Sequence, residues 1–365
     1  MHRAAAAVTA APITPHLDLP AFRRAVDTHL EHFLDHKARA AADHAMPPEI
    51  LRTLRDFLLR GGKRLRPLLC ACGWHAAGGG DDTDTLVGAA AALEMFHAFA
   101  LIHDDVMDRS ATRRGHPTVH HTIATAHHGH RGTAAEQLGA SAAILIGDLA
   151  LIWSDELLAT HLPPEPLAAV RPFLDAMRTE VMYGQYLDLL TTGRPTSDID
   201  TPLRVIRYKT AKYTVERPLH IGAALAGADP AVLNACTAFA LPLGEAFQLR
   251  DDLLGVFGAP EQTGKPVLDD LRDGKHTVLV ALALTRATPE QRTTLLPLLA
   301  TPDLDENGAA RIRTVLDATG AHAETENMIR TRHREALTAL DQAPFPHHVT
   351  AALRQIAHAA TSRTT

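Results

Sequence analysis

The chain has 365 residues, of which 46% are hydrophobic and 4% aromatic, and a formal net charge of −6 at pH 7. Its apolar content is mostly Ala and Leu, which favours helices over sheets, and its length is enough to bury a sizeable core. The negative charge and the missing basic stripe argue against nucleic acid as a partner. The longest apolar runs, 142–152 and 278–284, are too short or carry charge, so no transmembrane segment is expected.

The N-terminus differs from the rest of the chain. Residues 1–19 begin with one basic residue and a weakly apolar stretch broken by prolines, which predicts a disordered tail and not a signal peptide. Residues 20–365 are expected to form a single all-α domain. The cysteines are odd in number and lie in apolar segments, which favours buried thiols in a reducing cytoplasm at Cys70, Cys72 and Cys236.

Helical spacing of apolar residues predicts helices over 20–42 and 48–59. Two glycines then end one helix, and Pro67 suits the first turn of the next. Four cationic side chains lie at this junction: Arg60, Lys63, Arg64 and Arg66. They form either an anion-binding cradle or a solvated basic turn, and the segment alone does not separate the two.

An alanine-rich helix opens near Asp82 and ends in three carboxylates, Asp104, Asp105 and Asp108. At 100° per residue Asp104 and Asp108 share a face with His97, whereas Asp105 lies at its edge. Carboxylates this close repel one another unless a cation lies between them, and Mg²⁺ suits a few carboxylates completed by water and phosphate. The apolar flanks and the arginines that follow disfavour a merely solvated acidic helix end.

The next segments contain polar residues with less defined roles. The histidine-rich stretch 116–132 has no nearby cysteine, so a polar surface segment is a better interpretation than a metal site at His127, His128 and His130. Helices are predicted over 134–158 and 166–190. In the second of these, Gln185 and Asp188 share a face and are either satisfied core groups or substrate contacts.

A second acidic cluster ends a later helix. A basic helical segment runs over 207–213, and the helix 230–257 ends with Gln248, Asp251 and Asp252. The chain has only six Lys among 36 basic residues, and five of them lie in short polar stretches where a compact ammonium is useful: Lys63, Lys209, Lys212, Lys265 and Lys275. Segments from 276 to 358 are predicted to serve packing.

Two acidic clusters on separate buried helices, with Lys and Arg between them, predict a cavity that binds diphosphates through bridging metal ions. The carboxylates would hold the ions, and the cationic side chains would take the remaining phosphate oxygens. Because the neighbouring residues are apolar, the expected substrate is an amphiphile with an anionic head and a hydrophobic tail.

From about residue 20 onward the chain resembles the trans-isoprenyl diphosphate (polyprenyl) synthases, in particular short-chain geranylgeranyl diphosphate synthases. Six matches occur in the family's order: Gly61 to Pro67, Asp104 to Asp108 with Arg113-Arg114-Gly115, Gly184-Gln185, Lys209-Thr210, Gln248, and Asp251-Asp252. The resemblance implies an isoprenoid-synthase-type helical bundle around a central active-site cavity, a homodimer, and Mg²⁺-dependent head-to-tail condensation of isopentenyl diphosphate with an allylic diphosphate.

The resemblance also implies residue roles. Asp104 and Asp108 would hold two of three Mg²⁺ ions, and Asp251 the third. The positions that match an isopentenyl diphosphate site are Lys63, Arg66, His97 and Arg114. Those that match the allylic site are Arg113, Lys209, Thr210, Gln248, Lys265 and Lys275. Catalysis itself is expected of Asp104, Asp108, Arg113, Lys209, Asp251 and Lys265.

The implied reaction is electrostatic in origin. Metal ions and cations stabilise the leaving diphosphate, the allylic carbon ionises in a dry pocket, and the isopentenyl double bond attacks it. No protein base is evident for the final proton loss. Gly255 stands where the family's second motif has a last carboxylate, which leaves the outer coordination of the third ion open.

Product length is expected to depend on the fourth and fifth positions before the first Asp, Ala100 and Phe99. A helical wheel places Ala100 near the metal face and Phe99 away from it, whereas the family pattern makes bulky Phe99 a floor. We expect a C20 product, geranylgeranyl diphosphate, with C15 farnesyl diphosphate as the competitor. A class I terpene cyclase does not need the intact Gly61 to Pro67 segment, and a non-catalytic partner subunit does not need both acidic clusters.

Overall fold

Long helices dominate the computed structural model, which describes residues 17–80, 82–127, 133–258 and 268–361. The first half contains α1 (Leu19–Asp43), α2 (Pro48–Leu59), α3 (Leu65–Ala76), α4 (Thr83–Met107), α5 (Val119–Ala126), α6 (Thr133–His161) and α7 (Pro164–Thr191). The second half contains α8 (Asp200–Val205), a π-helical segment (Ile206–Glu216), α9 (Arg217–Leu225) and α10 (Pro230–Phe257), and then α11 (Asp269–Arg272), α12 (Val278–Arg286), α13 (Pro289–Leu295), α14 (Glu306–Ala318), α15 (Ala321–Gln342) and α16 (His347–Thr361). The predicted all-α fold class is confirmed.

Three predictions lie wholly or partly outside the described residues. These concern residues 1–16 of the predicted tail, His128 and His130 of the histidine cluster, and Lys265. The last residues of the predicted tail are described: the Asp18 side chain caps α1 by accepting a hydrogen bond from the Ala21 N–H at 2.8 Å.

Local signals explain where the helices begin. Asp229 accepts a hydrogen bond from the Val232 N–H at 2.9 Å, and Pro230 occupies the first turn of α10, where its missing N–H costs nothing. Asp82 caps α4 in the same way through the N–H and hydroxyl of Thr85. Both helices that end in acidic clusters therefore begin within one or two residues of their predicted first residues.

Helix α4 lies in the core and packs against α6, α3 and α1. Met95 and Phe96 are almost fully buried. In the described part of the chain, α4 is the one helix long and apolar enough to cross a membrane, but 78% of its most apolar window is buried inside the protein. Its hydrophobicity therefore reflects a position in the core.

The basic helical segment predicted over 207–213 is helical, but it is π-helical and not α-helical. Residues Ile206–Glu216 form wider turns with i→i+5 hydrogen bonds and continue into α9 without a break. Two neighbouring helices touch this segment backbone to backbone. A Cβ on Gly184 of α7 would lie 2.5 Å from the Lys209 N atom, and one on Gly244 of α10 would lie 2.4 Å from the Ala211 Cα. Only glycine permits both approaches.

The C-terminal helices chiefly form a second apolar core. Leu271, Leu279 and Ile312 are buried there, as expected for segments that serve packing. His276 and Thr277 are exceptions, because they line the large cavity described below.

Candidate active site

A cavity of about 980 Å³ opens between α3, α4, α7, the π-helical segment and α10. All described residues to which the sequence analysis assigned a catalytic, substrate-binding, metal-binding or chain-length role line this cavity: Lys63, Arg66, His97, Phe99, Ala100, Asp104, Asp108, Arg113, Arg114, Lys209, Thr210, Gln248, Asp251 and Lys275. Lys63 and Lys275, which are 212 positions apart in the sequence, thus lie around the same cavity. Apolar side chains, including Val181, Met182 and Leu189, line the remainder.

The end of α4 presents two carboxylates in different electrostatic surroundings. Burial opposes ionisation of Asp104, but the cations Lys209 and Arg113 outweigh it and hold the pKa of this carboxyl well below its usual range. Burial and the negative charge of Asp104 raise the pKa of Asp108 to about 6. This crowding of negative charge is the condition that a bound cation relieves.

Asp105 has a different role from its neighbours, because it is buried and does not line the cavity. It accepts a hydrogen bond from Arg113 Nε at 2.7 Å, while Arg113 Nη2 reaches Asp104 at 2.9 Å. Arg113 belongs to a two-residue hairpin in which Thr112–Arg113 pairs with His116–Pro117. The turn residues Arg114 and Gly115 both have positive φ, as in a type I′ turn. The hairpin therefore fixes both arginines at the cavity edge.

Lys209 connects α4 to α7. Its ammonium lies 3.1 Å from Asp104 Oδ1 and 2.7 Å from Asp188 Oδ2. Burial lowers the pKa of Lys209, but the two carboxylates outweigh this and raise it, so the side chain stays cationic. Asp188, which the sequence left open between core and substrate contact, is thus a buried site residue that orients a cation toward the cavity.

The end of α10 carries the second acidic cluster. Gln248 accepts a hydrogen bond from the Thr210 hydroxyl at 2.7 Å and donates to Asp252 Oδ1 at 2.8 Å. Burial, with smaller contributions from Asp270 and Asp251, raises the pKa of Asp252 to about 7. Asp251 lines the cavity beside it. Lys275 faces this cluster, and its pKa is raised well above the usual value, chiefly by Asp270.

The opposite side of the cavity is cationic. Arg66 lies with its guanidinium carbon 4.1 Å from the centre of the Tyr213 ring and donates to the Thr214 hydroxyl at 2.6 Å. Its buried Nε atom has no hydrogen-bond partner. A buried guanidinium N–H without an acceptor is costly, so this atom is suited to an anionic ligand. Arg114 approaches from the hairpin and donates to the Gly61 carbonyl at 2.5 Å.

Arg64 also lines the cavity, but its guanidinium is engaged by protein groups. Its backbone is left-handed, with φ of 50°, and its guanidinium is held by Glu94 at 2.6 Å, Asp27 at 2.7 Å and the Leu58 carbonyl at 2.7 Å. This buried clamp fixes the chain between Lys63 and Arg66. Gly61 and Gly62, with φ of 100° and 148°, supply the turn before it.

His97 completes the cationic side. Its Nδ1 lies 3.1 Å from the Tyr213 hydroxyl. Burial lowers the pKa of His97 well below its usual value, and the charges of Arg66, Arg114 and Arg113 lower it further. The imidazole is therefore neutral near pH 7. It can donate a hydrogen bond to a diphosphate without adding a further positive charge beside the arginines.

The oxygen donors of Asp104, Asp108 and Asp251 fit Mg²⁺, a hard cation that takes a few carboxylates and keeps water or phosphate oxygens. Across residues 17–80, 82–127, 133–258 and 268–361, no three acidic, imidazole or thiol side chains converge closely enough to form a metal site by themselves. Because the three carboxylates do not converge, water and diphosphate oxygens would have to complete the coordination of each ion. The buried Arg66 Nε without a hydrogen-bond partner independently indicates that an anion binds in the cavity.

The helical-wheel argument about product length was incomplete. Phe99 was placed away from the metal face, yet both Phe99 and Ala100 line the cavity. The Phe99 ring lies 4.8 Å from the His103 ring and 5.2 Å from the Phe96 ring, centre to centre. The cavity wraps around α4 instead of following one face, so residues on either side of the metal face contribute to its wall.

Several site residues escaped the sequence analysis. Tyr213, Thr214 and Asp270 line the cavity, and Glu94 anchors Arg64. Asp270 carried a weak signal as an acidic residue just before Lys275. Tyr213 carried none, because an aromatic residue in a helix usually indicates packing.

Comparison with known proteins defines the class. The polyprenyl synthetase family model matches residues 47–316. A geranylgeranyl pyrophosphate synthase from Corynebacterium glutamicum, solved with isoprenyl diphosphate and magnesium, is similar at 41% identity with a TM-score of 0.90, covering 95% of this chain and 100% of that one. A geranylfarnesyl diphosphate synthase from Aeropyrum pernix is 34% identical over 78% of this chain and 84% of its own length.

A (2E,6E)-farnesyl diphosphate synthase from Mycobacterium tuberculosis is 32% identical over 81% of this chain and 78% of its own length. An all-helical fold whose cavity joins two acidic helix ends to a cationic wall defines an isoprenoid synthase. The chain belongs to the polyprenyl synthetase family and is a prenyltransferase.

Proposed function

We propose that the protein catalyses head-to-tail (1′-4) condensation of isopentenyl diphosphate with an allylic diphosphate, and that its main product is geranylgeranyl diphosphate. The observation that carries the proposal is the cavity, which joins two acidic helix ends, a separate cationic wall and an apolar lining. Two diphosphates and one hydrocarbon tail require these three surfaces. The similarity to a geranylgeranyl pyrophosphate synthase supports C20.

In this proposal, Arg66, Arg114 and Lys63 bind isopentenyl diphosphate, and His97 orients it. Arg113, Lys209, Gln248 and Lys275 face the allylic diphosphate from the other side, with Lys265 as a further candidate. Mg²⁺, in three ions held by Asp104, Asp108 and Asp251, would neutralise charge on the leaving group. Lys209 and Arg113, already oriented by carboxylates, stabilise that charge without reorganisation.

The apolar wall supports a medium-length product. Phe99 is buried and reaches the cavity beside the half-buried Ala100. A bulky ring there limits depth, while Val181, Met182 and Leu189 extend the lining on the α7 side. Because the named relatives include farnesyl, geranylgeranyl and geranylfarnesyl synthases, farnesyl diphosphate is the competing product.

The test is to incubate purified protein with Mg²⁺, isopentenyl diphosphate and dimethylallyl, geranyl or farnesyl diphosphate in separate reactions, and to measure product mass. The expected result is accumulation of C20 from each primer. A stop at C15 would overturn the C20 assignment. Hydrocarbon released without isopentenyl diphosphate would indicate a cyclase, and folded protein inactive with every primer would indicate a partner subunit.

A homodimer is part of the proposal. Exposed apolar side chains on α7 that lie outside the cavity lining are Tyr183, Tyr186 and Leu190. A second group on α6 contains Ile144, Leu145 and Ile152. Such surfaces mark interfaces.

Light scattering should show a dimer. Tyr186→Glu should disrupt it, whereas Arg171→Glu, on the exposed surface of the same helix, should not. An unchanged dimer in Tyr186→Glu would overturn this assignment of the interface.

We also place the protein in the cytoplasm. Cys70, Cys72 and Cys236 are buried free thiols, which agrees with a reducing compartment.

A further inference from the structure

Gly255 ends the second acidic cluster where a third carboxylate would stand on α10. A Cβ built on Gly255 would lie 2.1 Å from Oδ2 of Asp270, and then 3.1 Å from its carboxyl carbon. The carboxylate of Asp270, which comes from α11, therefore occupies the space in which a side chain at position 255 would begin. Asp270 lines the same cavity as Asp251 and Asp252.

The position of Asp270 is fixed by the backbone around it. The neighbouring Leu271 is buried, and its carbonyl accepts hydrogen bonds from the N–H groups of Gly274 and Ala300, each at 3.1 Å. Arg272 donates two hydrogen bonds to the Leu304 carbonyl, at 3.1 and 2.9 Å. The short helix is thus anchored to the C-terminal core, and its carboxylate is presented to α10 by a rigid support.

The electrostatics connect Asp270 to the acidic cluster. Asp270 is the largest cause of the raised pKa of Lys275, whose ammonium lies 3.9 Å from Asp270 Oδ1. It also contributes to the raised pKa of Asp252. Asp270 therefore adds negative charge to the group that faces the cavity.

We propose that Asp270 supplies the carboxylate that Gly255 lacks, and that it acts as a positioning residue by accepting hydrogen bonds from water on the Mg²⁺ held by Asp251. The inference rests on the proposed Mg²⁺-dependent diphosphate chemistry. The outer carboxylate of the second cluster then comes from α11, fifteen residues further along the chain, instead of from the last turn of α10. The bare backbone of Gly255 is what makes room for it.

The test measures how much Mg²⁺ is required for inorganic pyrophosphate to bind, by calorimetry at a series of Mg²⁺ concentrations. Removing an outer carboxylate typically lowers metal affinity by about 10- to 100-fold. Asp270→Asn should therefore raise the required Mg²⁺ concentration by about tenfold or more. Gly255→Asp combined with Asp270→Ala should recover most of the loss seen with Asp270→Ala alone, because truncation at position 270 frees the space beside Gly255 and the new carboxylate enters it.

Two further variants control for charge and for folding. Asp303→Asn removes one negative charge from an exposed position outside the cavity lining and should change the Mg²⁺ requirement little. Gly255→Ala keeps every charge and displaces the Asp270 carboxylate, so it should raise the requirement even if Asp270→Asn folds poorly. An equal effect of Asp303→Asn, or no effect of Gly255→Ala and Asp270→Asn, would overturn the inference.

The result also separates this inference from the proposed function. Asp270→Asn could lower the affinity for pyrophosphate at saturating Mg²⁺ and leave the required Mg²⁺ concentration unchanged. In that case Asp270 acts through Lys275 alone, and the inference is wrong. If the unsubstituted protein binds pyrophosphate without any need for Mg²⁺ and condenses no substrate, the proposed function itself is wrong.

Discussion

The guanidinium of Arg64 and the carboxylate of Glu94 form an ion pair of 2.6 Å in which both side chains are almost completely buried. Arg64 belongs to the segment that carries Lys63 and Arg66, and Glu94 belongs to α4, two to three turns before the first acidic cluster. The pair thus connects the cationic wall of the cavity to the helix that ends in Asp104 and Asp108.

Removing one partner of this pair should destabilise the fold. Glu94→Gln leaves the Arg64 charge buried with less compensation, and breaking a buried pair in this way costs about 3–5 kcal/mol. Urea unfolding followed by circular dichroism would measure the loss. Asp175→Asn, which breaks the exposed Arg171–Asp175 pair, should leave the midpoint unchanged; similar midpoints for the two variants would contradict the prediction.

The lowered pKa of His97 predicts acid sensitivity. Below about pH 6.5 the unfolded chain binds a proton that the buried imidazole does not, so stability falls as the pH drops from 6.5 toward the native pKa. His97→Asn removes this titrating group, so the slope of the unfolding free energy against pH should decrease. The decrease corresponds to at most one proton, or about 1.4 kcal/mol per pH unit. Unfolding free energies between pH 5 and 8 measure it, with the exposed His116→Asn as a control. Equal slopes in the unsubstituted protein and His97→Asn would count against this origin.

Arg66 is expected to act on one substrate. Its buried Nε atom has no partner, and lysine cannot reproduce the two-pronged contact of a guanidinium with a diphosphate. Arg66→Lys should raise the KM for isopentenyl diphosphate by about tenfold or more, the equivalent of one charged hydrogen bond. The KM for the allylic primer should change little. Steady-state kinetics with each substrate varied in turn would show the split, and parallel increases in both KM values would refute it.

The carboxylates that face the cavity should be needed for turnover. Asp104→Ala and Asp251→Ala remove groups assigned to charge stabilisation, and losses of this kind reduce kcat by about 10²–10³-fold. Single-turnover assays at saturating Mg²⁺ separate this effect from weaker metal binding. Addition of EDTA to the unsubstituted enzyme should abolish activity, and fresh Mg²⁺ should restore it. Near-normal turnover in both variants would remove the metal assignment.

Phe99 should limit product length. Phe99→Ala removes a ring from the cavity wall beside the half-buried Ala100, so products longer than those of the unsubstituted enzyme are expected by mass spectrometry. Phe96→Leu is the matched control, because Phe96 is buried one turn earlier on the same helix. An unchanged product distribution in Phe99→Ala would show that the floor lies elsewhere.

The acidic helix ends could be predicted from the sequence because each lies in a helix with clear periodicity and an N-terminal cap, whereas their cationic partners were assigned from short polar stretches and from the family resemblance. Asp104 and Asp251 belong to such helices. Asp188 was ambiguous, since a charged residue in an apolar helix can satisfy the core or the site, and only the position of Lys209 decides. The family pattern pointed to Phe99, but the helical wheel placed it away from the cavity, because a wheel assumes that the cavity follows one face of α4.

Other features depend on contacts between distant segments. The π-helical register of Ile206–Glu216 follows from packing against α7 and α10, and the residues show no period of their own that separates it from an α-helix. Asp270 meets Gly255 only after the chain has returned from α10. Its relation to the missing carboxylate is a property of the folded chain.

The two glycines that press α7 and α10 against the π-helical segment have a practical consequence for directed evolution. Any side chain at Gly184 or Gly244 would collide with main-chain atoms beside Lys209 or Ala211, so random libraries should yield almost no active clones altered at either codon. The apolar lining contributed by α4 has no such constraint. Selection for new prenyl chain lengths should therefore yield active variants with substitutions at Phe99 and Ala100, and few with substitutions at the polar end of the cavity.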